Sequence, residues 1–261
     1  MIIYQCDDTK ESIFTAIYNA YEEHRDHSTT RICLDREYYL FGEYVPVVAD
    51  AEKTMKVVRT LKARFGEKDY DTLCRALTSP CEDKAQAVYQ VIVKGLAGKV
   101  RPGHLFDNLA DDDCNRVFAL DRAAGREQQH LYGFLRFEEV QNGVLYARIG
   151  PKNQLLHLLM PHFADRFPME NFMIHDEKRG QIGLHPAGRQ WYVISGMGEI
   201  SADMLRTAQG EKEIQELFRH FCTSIAIRER ENRNLQRNML PLRYRPYMTE
   251  FPSGKEEAVP Q

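Results

Sequence analysis

The spacing of apolar residues changes along this chain near Gly125, and that change constrains the fold more than any single motif. Before it, apolar residues recur every three or four positions. Ile13, Phe14, Ile17, Tyr18 and Tyr21 form one such stripe, and Val57, Val58 and Leu61 begin another. After it, residues 131–149 alternate, as half-buried strands do. A helical half followed by a sheet-bearing half is the α+β pattern rather than an alternating β-α-β one.

Local signals divide the first half further. Met1–Tyr4 reads as a short strand, and Asp8 with Glu11 reads as the opening of a helix. Short extended pieces are expected around Tyr38–Phe41 and Tyr44–Val48. Asp50 caps a helix that ends near Gly66, and helices over 69–78 and 82–97 follow, parted by Ser79-Pro80. Another is expected from Asp111 to Ala124.

In the second half, LYGFLRFEEV and VLYARIG read as a hairpin with Asn142-Gly143 as a two-residue turn. That register sets Phe137 opposite Arg148 and Glu139 opposite Tyr146. Phe137, Tyr146 and Arg148 then share an outer face that stacks nucleobases or packs under a helix. A helix over 153–166 follows, then strands in NFMIHDE, QIGLH and QWYVI. Leu217, Phe218, Phe221 and Ile225 mark a last helix. The expected fold is α+β, with a largely helical N-terminal half and an antiparallel sheet flanked by helices in the C-terminal half. It is a single domain over 1–251, with a helical lobe over about 1–125, a sheet lobe over about 126–251 and a disordered tail over 252–261.

Chemistry-bearing motifs are few. GLAGKV lacks phosphate-loop spacing, GMGE is half a dinucleotide fingerprint, and G-x-S-x-G and H-E-x-x-H are absent. Six cysteines show no C-x-x-C pair, so they read as free thiols, and neither a metal nor a cofactor is expected. Glu127 with His130 has the spacing of a charge-oriented pair, and His162 and Asp176 lie in a region rich in histidine and acid. These four are the acid–base candidates. Surface ion pairs are the plainer reading of the same residues.

Charge is unevenly placed. The chain has a net charge of −3, yet Arg228–Arg245 carries six arginines against two glutamates. Arg230, Arg233 and Arg237 fall on one side of a continued helix, and Arg243, Tyr244 and Arg245 interleave bases with an aromatic ring. That composition suits phosphate contacts. It equally suits a strap docked by ion pairs on the acidic remainder. Nothing in the N-terminus resembles a signal peptide and no window is long and apolar enough for a membrane span, so a cytoplasmic protein without membrane partners is expected.

GREQQHLYGFLRF, LYARIGPKNQLLHLLMPHFADRFP, NFMIHDEKRG and NRNLQRNMLPLRY together resemble a bacterial family named "probable DNA metabolism protein", a domain of unknown function. Members are encoded beside a DNA-repair radical-SAM protein or fused to a uracil-DNA-glycosylase-like domain. The resemblance implies a role in DNA repair or modification, with DNA and a radical-SAM protein as partners, and it defines no catalytic residues. Where the family tends to carry tryptophan after Tyr244, this chain has Arg245. Arg136, Arg148, Arg166 and Arg179 join the arginine-rich end as expected phosphate contacts. An enzyme acting on damaged or modified DNA, and a protein-interaction scaffold indifferent to nucleic acid, remain open beside an accessory protein.

Overall fold

The computed structural model describes residues 1–34, 40–98, 100–140, 143–196, 208, 210–224 and 232–251. The chain divides into two compact units, Met1–Arg126 and Glu127–Gln261. The class is α+β.

In the first unit, β1 (Ile2–Cys6) is the centre of a three-stranded sheet. It pairs in parallel with β2 (Thr30–Leu34) on one side and β3 (Glu43–Pro46) on the other. The sequence reading missed β2. Of the extended piece expected at Tyr38–Phe41, residues 38 and 39 lie outside the described residues, and Leu40 and Phe41 form a turn. Helix α1 (Lys10–Glu22) is capped by Thr9, whose hydroxyl accepts from the Ser12 amide at 3.2 Å. It packs on α2 (Ala51–Leu77), where Asp50 accepts from the amides of Glu52 and Lys53 at 2.8 and 3.0 Å. Gly66, at φ 81°, breaks α2 where the sequence placed a helix end. Helix α3 (Lys84–Ala97) completes the core, in which Phe14, Leu61, Phe65, Leu73, Tyr89 and Ile92 are almost wholly buried.

Helix α4 (Asp112–Phe134) is ten residues longer than its expected end at Ala124, so Leu131–Phe134 is helix and not strand. Its buried positions continue at helical spacing through Val117, Leu120, Ala124, Glu127 and Leu131. A carboxylate stands where the stripe calls for an apolar residue, and that interrupts the pattern.

In the second unit, five strands lie in the order β4-β5-β6-β7-β8. They are β4 (Glu138–Val140), β5 (Val144–Ile149), β6 (Phe172–Asp176), β7 (Gln181–His185) and β8 (Tyr192–Ser195). The sheet is mixed rather than antiparallel, because β5 and β6 pair in parallel. A parallel pair needs a long crossover, and α5 (Leu156–Arg166) supplies it. Leu156 and Met160 of α5 pack over Gly183 of β7.

The hairpin register also differs by one from that expected. Glu138 pairs with Tyr146 and Val140 with Val144, leaving three residues in the turn. Of these, Gln141 and Asn142 lie outside the described residues. A one-residue shift exchanges faces. Here it puts Phe137 on the face opposite Tyr146, where it packs edge-on among Phe163, Phe167 and Phe172, while Tyr146 is buried with Val140, Met173 and Ile182. The aromatic outer platform expected from Phe137, Tyr146 and Arg148 does not form.

Helix α6 (Glu211–Ser224) and the short α7 (Arg233–Met239) follow, and a 3₁₀ helix at Leu242–Tyr247 ends the described fold. No described helix is long and apolar enough to cross a membrane.

Candidate functional site

The second unit is organised around one loop, Pro151–Asn153, between β5 and α5. Glu127, buried on α4, accepts from the Lys152 amide at 3.0 Å on one oxygen. Its other oxygen accepts from the Asn153 amide at 2.9 Å and the Asn153 side chain at 2.6 Å. Arg243 adds an ion pair to the first oxygen at 3.2 Å. A carboxylate offers about four lone-pair directions, and all are used here. Glu127 thus acts as a clamp, and work as a general base would require it to release a partner.

Arg179 holds the same loop from its carbonyl side. Its guanidinium donates to the Pro151 carbonyl at 3.3 Å and the Lys152 carbonyl at 2.5 Å. It is itself paired with the wholly buried Asp176 at 3.0 Å. Burial pushes the Asp176 carboxyl above the ordinary carboxylate range, and Arg179 pulls it partly back. The Lys178 amide also donates to Asp176, at 3.1 Å, so the β6–β7 turn and the loop form one hydrogen-bonded assembly.

The C-terminal segment is a strap on this assembly. Arg243 donates to the Tyr244 hydroxyl at 2.7 Å, and that hydroxyl lies 3.4 Å from Nδ1 of His130. Tyr244 is buried beside His130 and Phe134. Burial raises its hydroxyl pKa, while Arg243 opposes the rise. Tyr247 lies so close to Gly150 that a Cβ there would overlap the phenol. Glu250 binds Arg136 through two guanidinium nitrogens at 2.9 and 2.7 Å.

The sequence-predicted residues therefore separate. Glu127, His130 and Asp176 belong to the assembly around the loop. His162 stands apart, stacked on Tyr132 at 4.0 Å and edge-on to Phe163. Among the arginines, Arg136, Arg179 and Arg243 are engaged within the fold, and Arg245 lies over the Phe251 ring. Arg166 is exposed over Phe167. Arg148 is exposed with a loose 3.5 Å pairing to Glu177. Arg237 is exposed on α7. Arg230 and the Arg233 side chain lie outside the described residues.

Two cations that the sequence reading passed over stand out. Lys152 and Lys178 are both exposed, on backbones fixed by Glu127 and Asp176. With Arg148 and the partly exposed Arg243 they form a cationic rim around the loop. The signal lay in the segments GPKN and DEKRG, where Lys152 follows Pro151 and Lys178 lies between Asp176 and Gly180, residue types that favour turns. Among the described residues, no group of three or more histidines, cysteines or acids is placed to hold a metal.

These features define an α+β protein whose second unit carries a clamped loop, a cationic rim and a C-terminal strap. The chain belongs to the DUF4130 family, a domain of unknown function, which it matches over residues 82–250. The match ends at Glu250, the strap residue that holds Arg136. No curated protein and no solved structure matches the chain.

Proposed function

We propose that this chain is an accessory protein of DNA repair or modification that binds DNA through the rim around the Pro151–Asn153 loop. The observation that carries the reading is the placement of Arg148, Lys152 and Lys178. Their side chains are exposed, while the backbones of the two lysines are tied to the buried carboxylates of Glu127 and Asp176. Cations held on a fixed backbone lose less freedom on meeting a phosphate than cations on a loose loop. Arg237 on α7 adds an exposed charge from the arginine-rich end.

The assignment to DNA, and a radical-SAM enzyme as protein partner, come from the family resemblance. An enzyme acting on damaged or modified DNA is the second reading. It is favoured by the approach of His130, Tyr244 and Arg243, with His130 as the acid–base group that remains once Glu127 is committed to the loop.

The test is fluorescence anisotropy of labelled DNA with wild type and a Lys152→Glu, Lys178→Glu double variant. Both lysines are exposed, so circular dichroism and thermal unfolding should match wild type. The reading expects DNA affinity that falls steeply with salt and is strongly reduced, with a shallower salt dependence, in the double variant. An unchanged affinity in the variant would remove the rim from the account.

A further inference from the structure

The second unit also carries an aromatic corner that the DNA reading above does not use. Trp191, the one tryptophan of the chain, immediately precedes the edge strand β8 and is part-exposed. Its indole meets the ring of exposed His157 on α5 edge-on, with centroids 6.2 Å apart at 79°. His157 lies in the first turn of α5, five residues beyond Lys152. Arg189, two residues before Trp191, is exposed, and Tyr192 after it is 49% exposed.

Each element has a plain structural use, but their combination has a chemical one. An indole set edge-on against a second ring is held in orientation, and the part-exposed indole offers a flat π surface. Exposed Arg189, two residues before Trp191 on the β7–β8 turn, supplies a cation on the same turn. Aromatic faces with flanking cations bind single-stranded nucleic acid, because every base has a π face and every linkage a phosphate. A duplex keeps its bases stacked on each other and cannot offer them to such a corner.

Resting on the proposed DNA binding, we infer that Trp191 is a base-stacking residue and that the DNA bound is single-stranded. A phosphate of the strand meets Arg189, and a base packs on the Trp191 indole with His157 as its support.

The one tryptophan makes the test direct. Oligodeoxythymidylate and a duplex of equal length are titrated into the full chain. Tryptophan emission is followed in one experiment, and the anisotropy of the labelled DNA in a parallel one. The single strand should quench Trp191 with the same midpoint that anisotropy reports, and the duplex should bind more weakly without quenching. Trp191→Ala should weaken single-strand binding at least about tenfold, and Trp191→Phe should retain most of it. His157→Ala keeps the fluorophore and should reduce both affinity and quenching. Single-strand binding that leaves Trp191 unquenched, or a Trp191→Ala chain of wild-type affinity, overturns the stacking role and leaves the rim standing. Absence of binding to either DNA overturns the rim and the stacking role together.

Discussion

Glu127 and Arg179 hold opposite sides of one stretch of backbone. Glu127 takes the amides of Lys152 and Asn153, and Arg179 gives to the carbonyls of Pro151 and Lys152. They come from α4 and from the β6–β7 turn, so the loop is fixed by parts of the chain remote from it in sequence. Each of the two is itself paired with an opposite charge, Glu127 with Arg243 and Arg179 with Asp176.

Removing the clamp should therefore cost more than one hydrogen bond. Glu127→Ala leaves two buried amides and the Arg243 guanidinium without an acceptor, and should destabilise by about 3–5 kcal/mol. Glu127→Gln keeps the shape but turns an NH₂ toward a donor, and should cost about 1–3 kcal/mol. Urea unfolding of the three proteins measures both. Equal stability of Glu127→Ala and wild type would deny the clamp its structural role.

Gly150 is predicted to be intolerant of even one methyl group, because Tyr247 of the strap occupies the space. Gly150→Ala should destabilise by about 1–3 kcal/mol through overpacking. Combining it with Tyr247→Ala should recover part of that loss, since the second change removes the obstructing ring. A double-mutant cycle reads the coupling directly, and strictly additive effects would contradict the close approach of the two residues.

The strap should be part of the fold rather than an appendage. Tyr244 and Met248 are nearly fully buried, and Glu250 neutralises Arg136. Ending the chain after Leu240 removes all three and should lower stability by at least about 3–5 kcal/mol. Thermal unfolding followed by circular dichroism tests this, and an unchanged melting temperature would refute it.

Asp176 gives a pH dependence with a defined sign. Burial is the larger influence and raises its carboxyl pKa, so the folded chain retains a proton that the unfolded chain has released. The contribution of this group is present below the ordinary carboxylate pKa. It is lost as pH rises through the raised value. Asp176→Asn removes that titration, so its stability relative to wild type should increase with pH across the same window. Denaturant unfolding at a series of pH values measures the difference, and parallel profiles would show that Asp176 is not shifted.

Much of this fold was legible in the sequence, and the failures have physical causes. Asp50 announced its helix because a capping carboxylate works through local amides alone. Strands β6, β7 and β8 followed from alternation. The length of α4 was hidden by Glu127, a charged residue in a buried stripe whose partners are 25 residues or more away in sequence. Reading Asn142-Gly143 as a two-residue turn, where three residues join the strands, shifted the hairpin by one residue and put Tyr146 and Phe137 on a face they do not share. Parallel pairing of β5 with β6 depends on where α5 delivers the chain, which local pattern does not encode. At the candidate site, Glu127 and His130 were singled out from their spacing in the sequence, although the helix that carries both was expected to end before them. The role of Tyr244, which lies 114 residues from His130 in sequence, was not.

The central claim is that the rim binds DNA, and salt dependence tests it most directly. Binding of single-stranded DNA is measured by anisotropy over a range of salt for wild type and for Lys152→Glu, Lys178→Glu. For wild type, log K should fall linearly with log salt. For the variant, the slope should be shallower by about 0.7 for each phosphate that its side chains no longer neutralise. Binding with the same slope and affinity in both proteins, or no binding at low salt, would contradict the claim.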